Sequence, residues 1–179
     1  AGWIISKEKC MDDLQFVSLL KIRASYGALG NQNIGNYPYL SSLSLGQGVF
    51  NGNIVSSAAQ LVAANREITW ESTNVLNLGL DAAVLNNKLN LEFDYYIKKT
   101  DDILLTLPIP LTTGLSPAVQ NAGRVDNKGW DLNIRYNDKI GKNFNFGITG
   151  VLSDVKNRVV DLKGTGPYIS GFQITQVGQ

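Results

Sequence analysis

Residues 74–98, NVLNLGLDAAVLNNKLNLEFDYYIK, decide the fold class, because two runs of alternating apolar and polar residues meet there at Asn86-Asn87. In the second run the odd positions from Leu89 to Ile97 are apolar or aromatic, and most even positions are polar or charged. In the first run the apolar residues hold the even positions from Leu76 to Val84. A period of two is typical of a β-strand with one apolar and one polar face. Because Asn tolerates positive φ, the double Asn predicts a tight hairpin turn.

The composition excludes several classes of function. Lysine and arginine number 16 against 15 aspartates and glutamates, so the net charge of +1 gives no field that would attract nucleic acid. The chain has no histidine and one cysteine, Cys10, which excludes an internal disulfide and the common zinc, haem and Ser-His-Asp sites. No apolar run reaches the roughly 18 residues that a transmembrane helix needs. We therefore expect no metal, no cofactor, no nucleic-acid partner and no enzyme activity.

The same alternation recurs in other parts of the chain. Apolar residues hold the even positions from Ile22 to Ala28, from Trp130 to Tyr136 and from Phe144 to Leu152. Trp3 to Ile5 has the pattern of a strand end. Together with the hairpin, these stretches predict about six strands and an all-β fold.

The connections between these strands alternate in length. The turns after Leu85 and Tyr136 are short, whereas the connections after Leu29, Lys99 and Val155 are long and rich in Asn, Gly, Ser and Pro. In an antiparallel sheet this alternation places all the long loops at one end. Outer-membrane barrels have this layout, with short periplasmic turns and long extracellular loops.

Strand length and aromatic placement favour the same architecture. The runs of about 9 to 11 residues match a tilted strand that crosses a bilayer. Aromatic residues lie near the strand ends, as in the two girdles of a membrane barrel. They are Tyr26 and Trp130 toward the long loops, and Tyr136, Phe144 and Phe146 beside a short turn.

Periodicity alone leaves two interpretations open. In a membrane barrel the apolar face meets lipid and the polar face lines the lumen, whereas in a soluble β-sandwich the apolar face is the core. A membrane barrel needs at least about eight strands. On the barrel interpretation we therefore expect the chain to be a piece of a larger protein.

Three blocks of the sequence closely resemble a known family in their order and spacing. They are LKIRASYGALGNQNIGNYPY at 20–39, ITWESTNVLNLGLDAAVLNNKLNLEFDYYIKKTDDILLTLPIP at 68–110, and NAGRVDNKGWDLNIRY at 121–136. The family is the SusC/RagA family of TonB-dependent outer-membrane transporters of Bacteroidetes. The start, GWIISKE, resembles the strand end before the first block, and Cys10 departs from the aromatic residue expected in the following turn.

The resemblance implies a fold and a function. Residues 1–179 would be a partial TonB-dependent receptor β-barrel domain, an antiparallel transmembrane segment of about six strands from the C-terminal half of a barrel of about 22 strands. The plug and the TonB box would lie outside this chain, so we expect the piece alone to transport nothing. The whole protein would import glycans, or peptides in the RagA-like branch, across the outer membrane of a Gram-negative, Bacteroidetes-like bacterium. A SusD-like surface lipoprotein, the TonB complex and outer-membrane lipid are the implied partners.

Eight residues are candidates for contact with an oligosaccharide or peptide substrate. Charged residues on the polar strand face would line the lumen, although we expect most of that face to form cross-strand pairs or to contact the plug. Aromatic residues in or beside the loops at 31–65 and 106–127 would support sugars, or else anchor the loops or pack against the lipoprotein. The candidates are Arg23, Glu92, Asp94 and Arg135 on the strands, and Tyr37, Tyr39, Phe50 and Trp70 at the loops.

Two alternative functions remain at this point. A soluble β-sandwich that serves as a binding or adhesion module would bury the apolar face of the hairpin between two sheets. A siderophore-type TonB-dependent receptor would share the barrel but would not co-purify with a SusD-like lipoprotein.

Overall fold

A computed structural model describes residues 1–11, 14, 16–141 and 143–178. It contains ten strands and three short 3-10 helices in the described residues. The strands are β1 (Gly2–Ile4), β2 (Val17–Asn31), β3 (Leu43–Phe50), β4 (Asn53–Gln60), β5 (Glu71–Val84), β6 (Leu89–Thr106), β7 (Val119–Ile140), β8 (Phe144–Asp161), β9 (Tyr168–Ser170) and β10 (Gln173–Thr175). The 3-10 helices are Ile5–Lys7, Lys9–Met11 and Leu111–Thr113.

Six strands form one sheet in the order β1-β2-β5-β6-β7-β8, which confirms the predicted number of strands and the all-β fold. The remaining strands form two separate hairpins, β3–β4 and β9–β10. β1 pairs antiparallel with β2, with Trp3 opposite Ile22. Only four residues join β5 to β6 and three join β7 to β8, and connections this short require antiparallel neighbours.

The chain divides into two compact units. The first unit contains residues 1–29, 73–99 and 126–158, and both short turns of the large sheet belong to it. The second unit contains residues 30–72, 100–125 and 159–179, and it holds the long connections and the β3–β4 and β9–β10 hairpins. The predicted grouping of short turns and long loops is therefore present in the structure.

Several predictions about loops and strand lengths are wrong. The connection at 31–65 contains the β3–β4 hairpin, which turns at Asn51 and Gly52 with φ values of 49° and 75°. The loop predicted at 106–127 ends where β7 begins at Val119, and β8 continues to Asp161 beyond its predicted end. Strands β5 to β8 have 14 to 22 residues and so exceed the predicted 9 to 11. Glycines and charged residues interrupt the apolar alternation in these segments, but they remain hydrogen-bonded to a neighbouring strand.

The hairpin turn between β5 and β6 confirms the prediction for the double Asn and adds a residue to it. Asn86 and Asn87 have φ values of 57° and 64°, and Leu85 also has a positive φ of 57°. The Lys88 amide donates to the Leu85 carbonyl oxygen at 3.2 Å. The sequence did not predict a left-handed leucine, because a side chain at that conformation is disfavoured.

The apolar face of the hairpin is not sealed as a sandwich core would be. Leu76 is 39% exposed and Leu78 is 46% exposed. Among the described residues of the first unit, Ala83 is the only buried hydrophobic residue. The buried residues of the second unit are Leu107, Ala118, Ala122, Val159 and Leu162. This exposure argues against the β-sandwich alternative and fits a face that meets lipid. Among the described residues, no helix combines the length and the apolar character that a membrane crossing requires.

Candidate functional site

The polar face of the first unit carries a cluster of charges centred on Arg23. Its Nε donates to both carboxylate oxygens of Asp81 at 2.9 Å, and its Nη2 donates to Oδ2 of Asp94 at 3.0 Å. Lys21 Nζ lies 3.6 Å from Oδ2 of Asp81. The side chains of Arg23, Asp81 and Asp94 are half-buried. The cluster thus joins neighbouring strands β2, β5 and β6 through charge-assisted hydrogen bonds.

Period-two alternation explains why these residues meet. Arg23 and Asp81 hold odd positions in β2 and β5, opposite the apolar even positions, and Asp94 holds an even position in β6, opposite the apolar odd positions. Gly79 makes room for the cluster, because an added Cβ would lie 2.6 Å from Cζ of Arg23 and 2.7 Å from Oδ1 of Asp94. Sequence reasoning missed Gly79 as a determinant. The available signal was a glycine on the polar side of a leucine-rich strand.

Glu92 and Arg135, two other predicted residues of this face, share a polar cavity of about 180 Å³. Asn90, Asn133 and Asn137 complete its lining. The Asn133 side-chain amide donates to Oε2 of Glu92 at 3.2 Å. The cavity therefore presents amide, carboxylate and guanidinium groups together, the groups that hydrogen-bond sugar hydroxyls or peptide bonds.

The four aromatic candidates lie in the second unit and do not form one group. Tyr37 and Tyr39 meet edge to face, with 6.3 Å between ring centroids. Phe50 is exposed at the tip of the β3–β4 hairpin. Trp70 is 67% exposed and lies against Gly30, where an added Cβ would be 3.9 Å from the indole ring. A cavity of about 470 Å³ beside Trp70 is also lined by Gln32, Ile34, Ile68 and Thr69.

Side-chain hydrogen bonds fix the long connections of the second unit to its strands. Asn121 Nδ2 donates to the carbonyl oxygens of Thr69 and Asp102 at 2.8 and 2.9 Å, and its Oδ1 accepts from the Thr69 amide at 2.9 Å. Glu71 accepts from the Asn31 side chain at 2.7 Å and from the Leu104 amide at 2.9 Å. The alternation of apolar and polar residues does not predict these hydrogen bonds of Asn121 and Glu71. The connections are consequently held at their ends.

The short-turn end of the first unit brings together the three aromatic residues predicted for a girdle. The centroid of Phe146 lies 6.1 Å from that of Tyr136 and 6.2 Å from that of Phe144. The Tyr136 hydroxyl donates to Asp138 at 2.7 Å, and Lys88 Nζ lies 2.6 Å from the Asp138 carboxylate. The hydrogen bond that Lys88 donates to the Asp138 carboxylate raises the pKa of Lys88 above its ordinary value. A cluster of aromatic side chains next to an ion pair is typical of the interface between a membrane and water.

No group of three or more potential metal ligands occurs within the part of the chain that the structure describes. The polar clusters around Arg23 and Glu92 are built from Arg, Lys, Asp, Glu and amide groups. Such groups hold neighbouring strands together and bind polar ligands by hydrogen bonds.

Comparison with known proteins agrees with this geometry. The family model described as TonB dependent receptor-like, beta-barrel matches residues 13–177. The chain is 38% identical over 164 residues to TonB-dependent receptor P26 of Formosa agariphila, a match that covers 92% of the chain and 17% of the relative. It is 31% identical to TonB-dependent receptor SusC of Bacteroides thetaiotaomicron, over 91% of the chain and 17% of the relative. The chain thus spans about a sixth of the length of these curated relatives.

Solved structures show the same relationship. The RagAB peptide importer in its closed-closed state matches with a TM-score of 0.85 and 26% identity, over 99% of this chain and 20% of that chain. Its open-open state matches equally well, with a TM-score of 0.85. The family model shows that the chain belongs to the TonB-dependent receptor β-barrel family, and SusC and the RagAB peptide importer are among the proteins that it resembles.

Proposed function

We propose that the protein containing this chain is a TonB-dependent transporter of the outer membrane and that residues 1–179 form part of its barrel domain. The observation that carries the proposal is the two-faced sheet of a TonB-dependent receptor, with exposed leucines on one face and a charged cluster on the other. In a membrane barrel the first face meets lipid and the second lines the lumen. The plug and the TonB box would come from other parts of the same protein.

The cargo in this proposal is an oligosaccharide or a peptide. One curated relative is TonB-dependent receptor SusC, and the solved relative is the RagAB peptide importer. By analogy, a SusD-like surface lipoprotein would assemble with this protein at the end that carries the long connections. The TonB complex would supply the energy for import, and the chemistry would involve binding and release rather than bond cleavage.

The residues assigned to cargo differ in their roles. Glu92 and Arg135 line a polar cavity on the proposed luminal face, so they are the strand residues with groups available to a ligand. Arg23 and Asp94 bind each other across β2 and β6 and would act mainly as a brace of the wall. The aromatic residues Tyr37, Tyr39, Phe50 and Trp70 would meet the cargo or the lipoprotein from the long connections.

The proposal is tested by deleting the gene for the full-length protein and measuring uptake of labelled oligosaccharides and peptides by whole cells. Loss of uptake of one class, together with the same loss in a strain without TonB, would support the proposal. Affinity purification of the tagged full-length protein from detergent extracts provides the second measurement. Recovery with a surface lipoprotein supports the SusC/RagA assignment, whereas uptake of an iron chelate without any lipoprotein would assign the protein to siderophore import.

A further inference from the structure

The second unit contains an apolar cleft between the large sheet and the β9–β10 hairpin. Its volume is about 270 Å³. Six of its lining residues are Ile103, Leu105, Gly123, Val125, Val159 and Leu162. Val159 is 8% exposed and Leu162 is 3% exposed, so these two lining side chains are buried. The lining of this cleft contrasts with that of the polar cavity of Glu92 and Arg135.

A β-bulge explains how aliphatic side chains reach this position. Asp102 has a φ of 56° within β6, and a left-handed residue inside a strand indicates a bulge. A bulge shifts the alternation by one residue, so the odd positions after it change face. Ile103 and Leu105 would otherwise continue the lipid-facing series that ends at Ile97.

The neighbouring strand confirms the change of face. An added Cβ at Gly123 would lie 3.0 Å from Cβ of Ile103 and 3.2 Å from Cδ1 of Leu105, so these side chains lie over Gly123. Gly123 holds an odd position in β7, where the apolar series from Trp130 to Tyr136 holds the even positions. Successive residues of a strand point to opposite faces. Gly123 and the two side chains over it therefore lie on the side of β7 opposite to its apolar series, the side that the proposed function assigns to the lumen.

The side chains that line the cleft carry only two polar groups, both hydroxyls. Tyr168 and Thr175 complete the lining. The Tyr168 hydroxyl is hydrogen-bonded to the Thr165 hydroxyl at 2.5 Å, so its polar end already has a partner. Sugar hydroxyls that entered an aliphatic cleft would lose their hydrogen bonds to water without replacement, which disfavours a sugar there.

An apolar group of modest size fits the cleft. A dry cavity of about 150 Å³ lined by aliphatic and aromatic side chains holds benzene, so 270 Å³ has room for one aromatic ring or one branched aliphatic chain. Among the cargo classes of the proposed function, only peptides carry such groups on a polar backbone. We propose that the cleft is a subsite for a large apolar side chain, of the leucine or phenylalanine type, in a peptide cargo. This inference rests on the proposed function and narrows its cargo to peptides.

The test uses the purified full-length transporter, with any lipoprotein that co-purifies, and two decapeptides that differ only by leucine or serine at one central position. Val125→Phe fills the cleft, and Val125→Thr keeps its shape but adds a hydroxyl. Ile134→Phe is the matched control, because it enlarges a partly exposed residue on the opposite face of the same strand. Heat-modifiable electrophoretic mobility reports whether each barrel is folded.

We expect the native protein to bind the leucine peptide about tenfold more tightly than the serine peptide, since the cleft removes the apolar surface of the leucine side chain from water. Val125→Phe should abolish this preference, Val125→Thr should reduce it, and Ile134→Phe should retain it. If Val125→Phe does not fold, Val125→Thr decides the question.

Equal binding of both peptides by the native protein, or an unchanged preference in the folded Val125 variants, would overturn the inference. The second result would mean that another segment of the transporter fills the cleft. TonB-dependent uptake of oligosaccharides without peptide binding would also overturn it, while the import function would stand. Absence of any TonB-dependent uptake would instead contradict the proposed function itself.

Discussion

At the scale of single residues, the charged cluster depends on a position that has no side chain. Gly79 lies where a Cβ would come within 2.7 Å of both Arg23 and Asp94. Arg23 in turn holds the carboxylates of Asp81 and Asp94, which would repel each other without it. The glycine therefore permits the three strands to be joined by one guanidinium group.

Gly79→Ala should lower the free energy of unfolding of the full-length protein by about 1 to 2 kcal/mol, because the new methyl group displaces the Arg23 side chain and leaves a carboxylate poorly paired. Gly150→Ala is the control, since an added Cβ there meets no atom within 4 Å. It should be neutral or slightly stabilising, as alanine is less flexible than glycine in the unfolded chain. Urea unfolding in detergent, monitored by tryptophan fluorescence, gives the free energy of unfolding of both variants. Equal effects of the two changes would show that the cluster does not restrict this position.

Alternation in the sequence predicted which residues share the polar face, and the cluster of Arg23, Asp81 and Asp94 follows from it. Alternation did not predict which members would pair and which would line a cavity. That distinction depends on strand register, which sets Glu92 beside Asn133 and Arg135 in a different part of the face. Register is fixed by pairing along whole strands, and one sequence read alone does not display it.

At the scale of secondary-structure elements, the turn at Leu85–Lys88 shows what local chemistry can and cannot predict. The two asparagines were recognised because they tolerate positive φ. Leu85 takes the same conformation although its side chain opposes it, and its amide donates to the carbonyl oxygen of Phe16 at 3.0 Å. The hairpin pairing and this hydrogen bond hold the leucine in a conformation that its own preference does not favour.

Leu85→Gly should raise the free energy of unfolding by about 0.5 to 1 kcal/mol, because glycine adopts a φ of 57° without the steric cost that a side chain carries. Asn86→Gly, with the same φ one residue later, should change it much less, since asparagine already tolerates this conformation. The same urea titration compares the two variants. A larger gain from Asn86→Gly than from Leu85→Gly would contradict the explanation.

The β3–β4 hairpin, the β9–β10 hairpin and the bulge at Asp102 were not predicted from the sequence. Asn51-Gly52 is a strong hairpin signal, but the flanking strands lack a clean apolar alternation, and the surrounding Asn, Gly and Ser residues resemble a loop. The sequence signals the bulge only weakly, because the one hint is that aspartate, here Asp102, tolerates a positive φ. The two strands of the β3–β4 hairpin pair with each other, so this hairpin was missed for lack of alternation, whereas the bulge depends on a partner strand that lies outside the local sequence.

At the scale of the whole molecule, the central claim concerns which face of the sheet is the inside. The leucine face of the β5–β6 hairpin resembles a protein core when its sequence is considered alone. Its exposed leucines, the charged cluster on the other face and membership of the TonB-dependent receptor family reverse that assignment. Lipid would then solvate the leucines, and water in the lumen would solvate the charged groups.

Site-directed spin labelling along β6 tests this claim most directly. Single cysteines at Asn90, Leu91, Glu92 and Phe93 would be labelled in the full-length protein in lipid bilayers, after removal of native cysteines such as the exposed Cys10. We expect labels at Leu91 and Phe93 to collide with oxygen dissolved in the lipid, and labels at Asn90 and Glu92 to collide with a water-soluble nickel complex. If labels at Leu91 and Phe93 are shielded from both reagents, the leucine face is a buried core and the account of a lipid-facing barrel wall is wrong.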